Sequence, residues 1–158
     1  MLFLTLVSLA QFGLAPKTSP DSLYMTTSKG SLLHFDVRSG KMEFNVKLSP
    51  KKINTCDMSS NGVTMATAGL ENCVSLWDVR KMKSKKALDR IDQVRSITSA
   101  YFNSTGDKLL TTGMNDKLNV LSVDKGGKFG AEKASVSHDN QVRENDEKDG
   151  GEGRRETT

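Results

Sequence analysis

Apolar and β-branched residues alternate with polar ones in short runs along this chain, and no stretch of useful length repeats them at the 3.6-residue spacing of an amphipathic helix. The clearest set lies in the middle. Ile53–Ser59, Val63–Gly69, Cys73–Val79 and Ala87–Ile91 read as strands, separated by Ser60-Asn61-Gly62, by Leu70-Glu71-Asn72 and by a basic stretch. Asn61-Gly62, Lys29-Gly30 and Thr105-Gly106 supply residues that tolerate a positive φ, which tight turns between antiparallel strands require.

The arrangement recurs. Leu23-Tyr24-Met25-Thr26-Thr27 leads to Leu33-His34-Phe35-Asp36-Val37-Arg38. Met65-Ala66-Thr67-Ala68-Gly69 leads to Ser75-Leu76-Trp77-Asp78-Val79-Arg80, and Leu110-Thr111-Thr112-Gly113 to Asn119-Val120-Leu121-Ser122-Val123. Asp36 stands 42 residues before Asp78, and Asp78 44 before Ser122. A further strand precedes each pair: Leu9-Ala10-Gln11-Phe12, Asn54-Thr55-Cys56-Asp57-Met58 and Ser99-Ala100-Tyr101-Phe102. A period of this size is that of a four-stranded propeller blade, roughly 40–45 residues. The chain therefore reads as all-β, with blades over residues 6–48, 53–91 and 96–124 inside one unit, 1–124. The nearly apolar Met1–Phe12, followed by Gly13-Leu14-Ala15, also has the look of a secretory signal, but no Lys or Arg precedes it. Its register instead makes Leu6–Phe12 the first strand of the first blade.

Composition changes the reading at the other end. Residues 125–158 hold 7 basic and 8 acidic residues, six glycines and one aromatic, Phe129, so a disordered tail is expected beyond a boundary near Lys125. Residues 1–124 then carry 16 basic against 11 acidic residues, a net of +5 within a whole-chain charge of +4, a mild excess that permits nucleic acid or an acidic partner. At 35% hydrophobic and 27% charged, the chain has no run approaching the ~18 apolar residues of a spanning helix, so no membrane partner is expected. Cys56 and Cys73 are too few for a disulfide framework and lack metal-ligand spacing. They read as small buried hydrophobes in a reducing compartment such as cytosol or nucleus. His34 reads as a packing residue, and His138 falls in the tail. With no nucleophile elbow, phosphate loop or metal cluster, neither an enzyme nor a cofactor is expected.

Trp77-Asp78, closing a strand after a small-residue strand and a tight turn, resembles the signature of WD-repeat propellers. In such a blade a large ring fills the space between neighbours, oriented by polar groups on the second strand and the turn. Here the turn residue is Glu71, with Asn115 and Lys29 in the third and first units, and the Trp position becomes Leu121 and Phe35. Trp77-Asp78-Val79-Arg80 further resembles the Trp-Asp-x-Arg box of WD-repeat receptors of cullin-four ubiquitin ligases, and Phe35-Asp36-Val37-Arg38 is a weaker copy. That resemblance implies that Trp77, Asp78 and Arg80, with Asp36 and Arg38, meet the ligase adaptor, the large subunit of the damage-specific DNA-binding complex. Arginine suits an interface because its planar fork binds carboxylate or backbone oxygens bidentately. The plainer alternative is an Arg that merely pairs with a neighbouring acid at the blade edge.

Ser96-Ile97-Thr98-Ser99-Ala100-Tyr101-Phe102 with Leu110-Thr111-Thr112 resembles the chromatin-associated WD-repeat proteins grouped with the small subunit of that complex, the WD-repeat protein seventy-six group. This implies a nuclear, non-catalytic scaffold that associates with DNA or chromatin in the damage response. The alternative is a cytoplasmic protein-interaction propeller without nucleic acid. Lys81, Lys83, Lys85 and Lys86 are the candidate DNA contacts, although without interleaved aromatics the balance favours a solvated loop kept charged against edge pairing. Three units are fewer than the four to eight blades that close a ring. The expectation is a propeller fragment, marginal alone, whose bare blade faces self-associate or take a partner.

Overall fold

The computed structural model describes residues 9–12 and 21–137. They form three four-stranded antiparallel sheets, each in sequence order. The first holds β1 (Leu9–Phe12), β2 (Ser22–Thr27), β3 (Ser31–Asp36) and β4 (Lys41–Lys47). The second holds β5 (Ile53–Met58), β6 (Thr64–Gly69), β7 (Cys73–Asp78) and β8 (Asp89–Asp92), and the third β9 (Ile97–Phe102), β10 (Lys108–Gly113), β11 (Lys117–Val123) and β12 (Phe129–Ser137). These are the three expected blades, and the expected strands recur within one or two residues of their places. Residues 6–8 of the expected first strand lie outside the described residues, as does His138 with the tail from residue 138.

Two expectations need correction. The boundary at Lys125 falls too early, because β12 pairs with β11 from Lys117↔Ser137 to Val123↔Phe129 and completes the third blade. Averaging charge over residues 125–158 hid it: Gly130, Ala131, Ala134 and Ser135 offer a strand little side chain, and an outer strand is held by the backbone ladder. The basic stretch after β7 is likewise no plain loop, since Val79–Ser84 winds into a 3-10 helix.

The core consists of the seams between blades. In the central blade β6 and β7 are buried at every position, and the two-residue period of a strand divides their side chains between neighbours. Ala66, Ala68, Val74 and Leu76 pack with Ile97, Ala100, Leu109, Leu121 and Val123 of the third blade. Met65 and Trp77, with Cys56 and Met82, pack with Tyr24 and Leu32 of the first. His34 is the packing residue expected, its ring stacked on Tyr24 with centroids 4.5 Å apart and 5.1 Å from Phe44. The third blade turns its other face outward. There Tyr101, Leu110 and Val120 stand opposite one another on β9, β10 and β11, with Tyr101 and Leu110 exposed and Val120 half-buried.

Turn chemistry sets the approach of blades one and two. Gly30 has φ +78°, and a Cβ there would lie 2.2 Å from the carbonyl oxygens of Ser49 and Lys51, so only glycine fits. Its own carbonyl accepts from the N–H groups of Leu48 and Ser49 (3.0 Å each).

Polar side chains of β5 lace the second blade to the third. Asn54 Nδ2 donates to Ile97 O (2.7 Å), Thr55 Oγ1 accepts from Ala100 N–H (3.2 Å), and Asp57 Oδ2 accepts from Phe102 N–H (2.7 Å). Burial raises the Asp57 pKa, against the lowering effect of hydrogen bonds from the Phe102 and Met58 amides. A raised folded pKa means this group favours folding at low pH, a contribution lost as pH rises through that value. Asp57→Asn, which keeps an acceptor without the buried charge, should therefore leave stability at neutral pH unchanged or higher. Asp57→Ala strands the Phe102 amide and should cost about 1–3 kcal/mol. Urea unfolding of the two variants across pH checks both.

Candidate functional site

The corner following β7 is built from Trp77 outward. Trp77 Nε1 donates to Thr67 Oγ1 on β6 (2.8 Å), the second-strand polar contact expected for the ring. The turn acid does not join it: Glu71 instead accepts from Arg90 Nη1 on β8 (3.2 Å). Trp77 therefore has its orientation from Thr67 and from the apolar seam around it.

One residue on, Asp78 leaves the strand with φ −87° and ψ 112° and caps the 3-10 helix, accepting from the Arg80 N–H (3.0 Å). The same carboxylate takes the Arg80 guanidinium edge-on, Nε to Oδ1 at 2.9 Å and Nη2 to Oδ2 at 2.8 Å. Asp78 is buried, whereas the Arg80 side chain is 67% exposed. The bidentate hydrogen bonds hold the Asp78 pKa below the ordinary carboxylate value, against the opposing pull of desolvation. Stability from this pair is present at neutral pH and lost as pH falls through the depressed value. Arg80 is thus a pre-oriented fork with one edge tied and the rest facing solvent.

In the first blade Asp36 makes a similar turn, its Oδ1 accepting from the N–H groups of Arg38 (3.0 Å) and Ser39 (3.3 Å). The Arg38 side chain is exposed. The structure thus joins Asp78 to the Arg80 side chain, but Asp36 to Ser39 and to the backbone of Arg38.

Lys81, Lys83, Lys85 and Lys86 are all exposed, and the segment that carries them is anchored. Met82, 2% exposed, inserts into the Trp77 seam. Lys85 adopts φ 55°, and its N–H donates to Met82 O (3.0 Å). Sequence reading missed this anchor because one methionine inside a basic run carries no periodic signal. Cys56 and Cys73 are free and buried, and burial, with the neighbouring Asp57 charge, pushes the Cys56 thiol up to about 12.

No family model matches the chain. Among solved structures, U3-55K superposes on 85% of it with a TM-score of 0.71 at 13% identity, and the RRP9 WD40 repeats on 84% with a TM-score of 0.69 at 14% identity. This chain forms three blades of a WD-repeat propeller. It covers 41% and 39% of those two chains. Among curated proteins, the arc is 27% identical over 118 residues to DNA damage-binding protein CMR1 of Kluyveromyces lactis, which covers 66% of this chain and 23% of that protein. It is 32% identical over 87 residues to DNA damage-binding protein 2 of Gallus gallus, covering 53% of this chain and 17% of the relative. The WD-repeat arc thus spans about a fifth of the length of these relatives. Among its described residues no helix is long and apolar enough to cross a membrane.

The Trp77 contacts generate a graded expectation. Trp77→Ala empties the seam and should cost on the order of 3–5 kcal/mol. Thr67→Val keeps the shape but leaves the indole N–H unpaired, and should cost about 1–3 kcal/mol. Thermal melts of the two variants beside the parent chain check the order.

Proposed function

We propose that this chain belongs to a nuclear, non-catalytic WD-repeat scaffold that associates with DNA or chromatin in the damage response. In this reading the corner of Trp77, Asp78 and Arg80, helped by Asp36 and Arg38, docks it to a cullin-four ligase adaptor. The observation that carries the docking reading is the Arg80 fork, held by a buried carboxylate and left 67% exposed. A side chain already fixed in place loses less entropy on binding, and its outward N–H groups suit carboxylate or carbonyl oxygens of a partner. The damage-related part draws on the relatives, which are named as DNA damage-binding proteins.

One observation favours the alternative, a cytoplasmic interaction propeller without nucleic acid. The pairing of Arg80 with Asp78 is also what an arginine with a purely local role would make. The two readings part on a binding measurement. Co-purification of the adaptor should fall sharply with Arg80→Ala and further with Arg38→Ala added. An interface arginine worth about 2 kcal/mol corresponds to roughly a thirty-fold loss of affinity. Arg80→Ala also unpairs the buried Asp78 carboxylate and should lower the melt slightly, so recovery is compared well below the melting temperature of every variant. Unchanged adaptor recovery from the double variant would remove the docking reading.

A further inference from the structure

We propose that Lys81, Lys83, Lys85 and Lys86 form one cationic surface with Lys125 and Lys128 of the next blade, that this surface grips the phosphate backbone of duplex DNA, and that DNA held there excludes a protein docked on Arg80. The proposal rests on the DNA-associating reading above and gives it a location and a consequence.

Sequence adjacency joins only the first four lysines; the fold adds the other two. The loops that follow β7 and β11 lie at the same end of neighbouring blades. They are clamped together, with Phe129 N–H donating to Asp89 Oδ2 (2.9 Å). Gly127, at φ +74°, passes so close that a Cβ there would lie 2.6 Å from Leu88 Cδ1. Lys125 and Lys128 flank that glycine and are exposed, like the four lysines opposite.

The acids at these loops are engaged in hydrogen bonds, Asp78 from a buried position and Asp124 from an exposed one. Asp78 is held by Arg80, Asp89 by the Phe129 amide, and Asp124 Oδ1 accepts from Lys128 N–H (2.8 Å). Among the described residues none of the six lysines is in an ion pair. A surface kept charged only for solubility intersperses both signs. Here six exposed lysines outweigh the single exposed carboxylate of the two loops, Asp124, on a platform fixed by the Met82 anchor, the Asp78 cap and the Ser84 hydroxyl, which donates to Lys81 O (2.7 Å). Lysines spread over two loops, without interleaved aromatics, suit a repeating polyanion read by charge rather than by base edges. Arg80 stands on the same 3-10 helix as Lys81 and Lys83, so the two kinds of partner compete for one end of the arc.

Fluorescence anisotropy with a labelled DNA duplex, titrated at several salt concentrations, tests this with the chain as it stands. Lys125→Gln/Lys128→Gln and, separately, Lys83→Gln/Lys85→Gln should weaken binding and flatten the plot of log affinity against log salt by about one to two units. Lys29→Gln/Lys51→Gln, on the turn and link at the opposite end, should change neither, and all these exposed variants should melt as the parent does. Excess duplex should release bound adaptor from the parent chain. Tight binding that the Lys125/Lys128 variant leaves untouched would overturn the surface while sparing the DNA-associating reading. Absence of binding at low salt would overturn both. Stronger binding of an acidic peptide than of the duplex would reassign the surface, and duplex and adaptor bound together would overturn the exclusion.

Discussion

The N–H groups of Ala100 and Phe102 donate across a blade boundary, to Thr55 Oγ1 and Asp57 Oδ2. They must, because β9 is the inner edge of its sheet and has a ladder neighbour, β10, on one side only. An unpaired buried amide costs as much as a lost hydrogen bond, so the inner strand of one blade depends on acceptors from the blade before it. Asn54, one residue from Thr55, returns the link by donating to Ile97 O. The seam is therefore a polar lacing along the inner strands, backed by the apolar contacts of β6 and β7 with β9, β10 and β11.

Everything at the outer corner inherits its precision from that assembly. The central blade is buried on both faces, which fixes Trp77 and lets Thr67 orient the ring. Met82 then ties the following helix to the same seam, and Asp78 orders Arg80 from below. The Arg80 fork is held by a buried carboxylate, and Lys81 and Lys83 ride on an anchored helix. They owe their geometry to core contacts one or two residues away.

Much of this architecture was legible in the chain. Spacings of 42 to 46 residues placed all three blades, and Gly30, Gly62 and Gly106 each take the positive φ that the turns require. The resemblance to WD-repeat blades implied a polar partner for Trp77 on the second strand and another at the turn, and only the first, Thr67, is present. What escaped was whatever lacks periodicity or bulk. The strand β12 was hidden among small residues in a charged stretch, although the repeat itself called for a fourth strand there. Met82 was a single apolar residue among lysines, and the lacing of Thr55 and Asp57 to β9 joins residues 45 apart. Arg80 could be read either as a free fork or as a local partner of Asp78, and the geometry gives it both characters.

Native-state amide hydrogen exchange tests the lacing most directly. If blades two and three are one cooperative unit, the Ala100 and Phe102 amides should be protected to the same free energy as the ladder amides of β6 and β7, opening with them. Exchange of those two amides at nearly unprotected rates, while the ladders stay closed, would mean that the blades are merely neighbouring sheets and would contradict the account.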